Sequence, residues 1–188
     1  RVISHDVERI ERLITDYSQM LKDEASLSRA KMEKIDLSNI VNSVVEDFNS
    51  DLSHSNKNIK INVNNSNLNG SKLNILGVES KLEQIIANLL DNAVSFSPIN
   101  GQILVLCGIK KNEAQLVIED EGPGFNEKNI NQVFNRFYSN RPEKFGEHSG
   151  LGLNIVKNII ELHGGSIKAS NKSGNNRGAR IEVLLPMH

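Results

Sequence analysis

Residues 101–122, GQILVLCGIKKNEAQLVIEDEG, constrain this chain more than any other stretch. Two apolar runs flank a polar centre near Lys111–Glu113, the pattern of a β-hairpin. Before it, ESKLEQIIANLLDNAVSF reads as a strong amphipathic helix ended by Pro98. After it come a short helix over about Glu127–Phe137 and YSNRPEKFGEHSG, a glycine-punctuated stretch expected to be a mobile loop. LGLNIVKNIIELHGG is a helix closed by Gly164, and GSIKAS and GARIEVLLP are two final strands. Upstream, KIDLSNIVNSVVEDF has a helical face of Leu37, Ile40, Val41, Val44, Val45 and Phe48, with Asp36 or Ser38 as its cap. IKINVN alternates as a strand, and a shorter strand is expected around Leu73–Leu76. The order α, then α-β-β-α-β-β-α-α-β-β, predicts an α+β sandwich with an antiparallel or mixed sheet.

The first segment differs from the rest. Ile3, Val7, Ile10, Ile14, Tyr17 and Leu21 recur at steps of four and three, a heptad seam that wants partner helices. The expected division is a bundle-forming helix over 1–31, a linker over 32–36 and a globular domain over 37–188. The formal net charge of −1 gives no overall field toward nucleic acid or an anionic membrane. The single cysteine, Cys107, excludes a disulfide framework and reads as a small buried hydrophobe. No apolar run approaches the roughly 18 residues of a membrane span. The start in mid-helix without Met reads as a cytoplasmic piece of something longer.

Three short stretches carry candidate chemistry. In NLLDNA, Asn88 and Asn92 lie four apart and share one helix face. A neutral amide oxygen can ligate Mg²⁺ already carried by phosphates; alone, the pair reads equally as solvated surface amides. In VIEDEGPGF a strand runs into Asp120, followed by Gly122 and Gly124. A carboxylate there can accept from the amino group of adenine, which guanine does not offer; a tight turn with a capping Asp is the plainer reading. In GEHSGLGLNI, Gly146, Gly150 and Gly152 straddle a helix start, whose free N–H groups suit phosphate oxygens. The spacing is neither a Walker loop nor a dinucleotide fingerprint.

NLLDNA, DEGPGF, VFNRFY and GLGL stand in the order of the N, G1, F and G2 boxes. On them, residues 36–188 resemble the ATPase domain of two-component sensor histidine kinases, the Bergerat fold shared with gyrase, a heat-shock chaperone and the MutL mismatch-repair family. HDVERIERLITDYS, DNAVSFSP, RFYSNRP and FGEHSGLGL together are most similar to alphaproteobacterial envelope sensor kinases of the ChvG/ExoS kind. The resemblance implies an ATP-binding α/β sandwich, with a mixed, mostly antiparallel sheet and helices on one face, behind a bundle-forming helix. It implies ATP and Mg²⁺ as cofactors, with Asn92 holding the metal and Asn88 lining the phosphate side. Asp120 takes the adenine, beside Gly122 and Gly124. Phe134, Arg136, Phe137 and Tyr138 open the lid, Arg141 faces the phosphates, and Ser149, Gly150, Leu151, Gly152 and Leu153 form its far hinge. The implied activity is transfer of the ATP γ-phosphoryl to a stalk histidine, then to an aspartate of a response regulator. Implied too are a homodimer through the stalk helices, no nucleic acid partner, and a place as the cytoplasmic portion of an inner-membrane sensor. Gyrase-type hydrolases have a Glu where this chain has Asn88, which counts against a Bergerat ATPase driving conformational change; a non-catalytic nucleotide-sensing module is the other alternative. Ala179 follows Gly178 where many relatives have Thr, which removes one hydroxyl near the nucleotide.

His5, followed by Asp6, invites the role of phosphate acceptor. In the resembling family that histidine lies on the first helix of a hairpin, as HELRTP or close to it. Here DVERIE follows, and only one helix fits before Asp36; helix, turn and helix would need several tens of residues at about 1.5 Å rise each. The stretch from Asp6 to Arg29 therefore resembles the second helix of the hairpin, and the acceptor is expected outside this chain. His54, His148, His163 and His188 are placed no better, in a loop, the lid, a helix end and the terminus.

Overall fold

The computed structural model describes residues 11, 14–15, 17–18, 21–22, 25, 30–53, 57–68, 70–135, 138, 151–173 and 177–188. The described residues from 11 to 25 are helical, as the heptad pattern predicts, and Ile14, Tyr17 and Leu21 on its seam are exposed.

The expected linker over 32–36 is a correction. Glu33–Asp36 form a strand, β1, antiparallel to β3 (Asn74–Gly77) with Ile35 opposite Ile75. Asp36 then caps α1 (Leu37–Ser53): its Oδ1 accepts the N–H of Ser38 at 3.1 Å, the Ser38 hydroxyl at 2.7 Å and the N–H of Leu73 at 3.2 Å. One carboxylate thus starts the helix and fixes the approach to β3.

The main sheet has five strands in the order β2 (Lys60–Asn64), β4 (Gln102–Lys110), β5 (Glu113–Glu119), β7 (Ala179–Pro186), β6 (Ser166–Asn171). β2 runs parallel to β4 and the other pairs are antiparallel, so the sheet is mixed. The expected hairpin turns through Lys111 and Asn112, both with positive φ (50° and 65°), which matches the twist of the flanking strands. Ile103, Val105 and Cys107 of β4, Leu116 and Ile118 of β5, and Ile181, Val183 and Leu185 of β7 point to one buried face. α1, α2 (Glu79–Phe96) and α3 (Gly152–Leu162) supply the rest of that core through Val41, Leu82, Ile86, Leu90, Val156 and Ile160.

α2 stops before Pro98: Ser97 is extended (ψ 143°), as a residue before proline must be. Lys57 Nζ then reaches the carbonyls of Val94, Ser95 and Ser97 at 3.1–3.5 Å, a cation at the negative end of the helix. The helix expected over Glu127–Phe137 is a shorter 3₁₀ turn, Glu127–Gln132, begun by Asn126 accepting from Lys128 N–H. Most of the stretch 138–150 expected as a mobile loop lies outside the described residues.

Candidate functional site

α2 sets the geometry. Asn88 and Asn92 occur one helical turn apart, both half-buried, and among the described residues neither amide has a hydrogen-bond partner. A further turn on, about 6 Å along the axis, Phe96 ends the helix against the loop after β5. A Cβ at Gly122 would stand 2.8 Å from the Phe96 carbonyl oxygen, so this approach admits only glycine. The N and G1 stretches, far apart in the chain, therefore meet at one end of α2.

Asp120 follows β5 and is 6% exposed. Its Oδ1 accepts the N–H of Gly122 at 2.8 Å and the N–H of Ala179 at 3.1 Å. Burial pushes this carboxyl above the usual range, opposed in part by those two N–H groups and by the charge of Lys172. Its second oxygen takes neither bond. The side chain is held by one oxygen, with the other left to accept from a ligand. Ala179 orients Asp120 through its main-chain N–H; a backbone role of this kind carries no side-chain signature in sequence.

The start of α3 lies beside α2: a Cβ on Gly152 would be 3.8 Å from Asn92 Nδ2. Among the described residues no side chain caps this helix, whose N-cap is the buried Leu151. First-turn N–H groups of this kind suit an anion. Gly152 and Leu153 are half-buried in the first turn. Tyr138 is half-buried, with its N–H on the Asn135 carbonyl at 3.3 Å. Arg141, Ser149 and Gly150 lie outside the described residues, as do Arg136 and Phe137.

Sequence reasoning missed Asn154. It is buried on α3 and its Nδ2 donates to the Phe134 carbonyl at 3.0 Å, tying the F stretch to the helix; its Oδ1 is buried without a partner. An amide interrupting the apolar face of GLGLNIV was the available signal. Phe134 itself packs against the core.

Among the described residues no group of three His, Cys, Asp or Glu side chains gathers to hold a metal. Asn92 offers one neutral oxygen. That suits an ion arriving with its own phosphate ligands, and could not hold one unaided.

The sequence pattern of the family described as histidine kinase-, DNA gyrase B- and HSP90-like ATPase matches residues 77–188. The sensor protein ChvG of Rhizobium meliloti (strain 1021) is 38% identical over 193 aligned residues, covering 98% of this chain and 33% of that protein. ChvG of Agrobacterium fabrum is 38% identical over 98% of this chain and 32% of its own length. The chain thus spans about a third of these relatives. A solved mycobacterial sensor histidine kinase, MprB, superposes with a TM-score of 0.69 at 30% identity, covering 82% of this chain and 97% of that one. Histidine kinase ThkA, solved with response regulator TrrA, shares the fold with a TM-score of 0.74 at 20% identity, over 100% of this chain and 50% of that one.

Proposed function

Since the chain belongs to the histidine kinase-, DNA gyrase B- and HSP90-like ATPase family, we propose that it is the ATP-binding catalytic part of a sensor histidine kinase. It passes the γ-phosphoryl group of ATP to a histidine that this chain does not itself supply, and the phosphate moves on to an aspartate of a response regulator. Residues 1–31 are the second helix of a dimerisation hairpin, and the whole is the cytoplasmic portion of an inner-membrane sensor.

One observation carries the reading: Asp120 is buried at a strand end with Oδ1 saturated by backbone N–H groups, at the end of the helix whose Asn92 faces Gly152. Asp120 accepts from the adenine amino group, with Gly122 and Gly124 shaping the wall beside it. Asn88 and Asn92 face the phosphates, which rest on the start of α3 at Leu151, Gly152 and Leu153. Mg²⁺, when bound with the nucleotide through Asn92, neutralises phosphate charge as the γ-phosphoryl leaves. Tyr138, Arg141, Ser149 and Gly150 complete the lid side.

The chain contributes position and charge, with no nucleophile of its own. Asn88 replaces the carboxylate that would activate water, which favours holding ATP for a protein acceptor. The experiment is direct. With Mg²⁺-ATP and a separate stalk bearing the acceptor histidine, acid-labile phosphate should appear on the stalk. Steady ATP hydrolysis without transfer would overturn the kinase reading.

A further inference from the structure

Asn171 closes β6 and stands in register with Ala179 of β7, the residue whose N–H holds Asp120. Its side chain turns onto the other end of the same loop. Oδ1 accepts the N–H of Phe125 at 2.6 Å, and Nδ2 donates to the Phe125 carbonyl at 3.0 Å. One amide thereby pairs with one residue in both directions, as an antiparallel neighbour would. Gly124 makes the closure possible: its φ is +78°, and a Cβ there would come within 2.7 Å of Asn171 Oδ1. The end of the β6–β7 pair therefore grips the loop after β5 twice, at Asp120 through Ala179 and at Phe125 through Asn171.

We propose that Asn171 is a positioning residue for base recognition: its clasp on Phe125 sets the 121–125 loop against the base that Asp120 reads, and so sets the preference for adenine over guanine. The inference rests on the nucleotide-binding reading of Asp120. A purely structural clasp is the rival, and the molecule contains one for comparison. Asn49 on α1 grips Ile61 of β2 in the same manner, Nδ2 to carbonyl at 3.0 Å and N–H to Oδ1 at 3.1 Å. That pair sits at the opposite edge of the sheet.

The test measures binding of Mg²⁺-ATP and Mg²⁺-GTP by calorimetry, with thermal melts, on the whole chain and on N171A, N171D, N171S and N49A. The unaltered chain should prefer ATP. N171A should bind ATP about tenfold more weakly, the loss of one or two hydrogen bonds, with GTP little changed, so that the ratio falls. N171D keeps the shape but sets a carboxylate oxygen against the Phe125 carbonyl, and its ratio should fall as far. N171S, whose hydroxyl stops one bond short of both Phe125 groups, should lower the ratio as N171A does and serves if N171A does not fold. N49A should lose stability and keep the ratio. An unchanged ratio in the Asn171 variants, or an equal change in N49A, overturns the proposal while leaving the nucleotide site standing. No ATP binding by the unaltered chain would overturn both.

Discussion

Nε2 of His163, at the end of α3, accepts the backbone N–H of Val78, 3.2 Å away at the start of α2. Its Nδ1 lies 2.8 Å from the Ile159 carbonyl and must donate, so the ring is neutral with its proton on Nδ1. The ring also fills the space over Gly77, where a Cβ would stand 3.1 Å from its Cδ2. It joins the far ends of the two helices that carry Asn88, Asn92 and Gly152. His163→Ala leaves the Val78 N–H without its acceptor and opens a hole, and should cost about 2 kcal/mol. Urea unfolding measures this; a loss under about 0.5 kcal/mol would contradict the tie.

In its proposed role, Asp120 sets nucleotide binding against stability. Burial holds its carboxyl above the ordinary value of 3.8, so the folded chain keeps the proton longer than the unfolded one. Stability therefore falls as pH rises from about 3.8 through the raised value, and the penalty is complete once pH lies above it. Asp120→Asn keeps an oxygen for the N–H groups of Gly122 and Ala179 and removes the penalty. It should melt at the same or a higher temperature at pH 7, with no gain near pH 3. Its amide would present a donor to the adenine amino group, and ATP affinity should fall by about tenfold or more. Melts at the two pH values and calorimetry decide both halves.

Glu182 behaves in the opposite sense. Burial alone would raise its carboxyl, but hydrogen bonds from Lys110 and Gln115, with the charges of Lys110 and Arg180, hold it below the usual 4.5. Lys110 Nζ is 2.9 Å away, and Arg180 also pairs with Glu119. This stability is present above about pH 4.5 and is lost as pH falls through the depressed value. Glu182→Gln should cost about 1 kcal/mol at pH 7, and the difference from the parent should vanish in acid. A pH series of denaturant midpoints tests it.

Cys107 is 1% exposed on the core face of β4, and burial, with a smaller push from Asp36, raises its thiol to about 12. The thiolate is the reactive form. Iodoacetamide at pH 8 should leave the folded chain unmodified and label it at once in denaturant. Mass spectrometry reads the result; rapid labelling without denaturant would mean that β4 opens.

The helices and strands were legible because their periods are local properties: the 3.6-residue face of α1, the alternation of β2, the break at Pro98. The order of the N, G1, F and G2 stretches pointed to the family for a similar reason, each being short and contiguous. β1 was not legible. Glu33-Lys34-Ile35-Asp36 has three charged residues in four and becomes a strand only by pairing with β3, some forty residues on. Ala179 acts through its N–H, which every residue but proline possesses. Asn49, Asn154 and Asn171 looked like members of an asparagine-rich composition, yet each grips a backbone group 12, 20 or 46 residues away. The sequence by itself determined which segments are helix and strand and which residue types bear the chemistry. Tertiary structure alone decided which main-chain group each amide and carboxylate meets, because a donor carries no local mark of the acceptor that folding will bring to it.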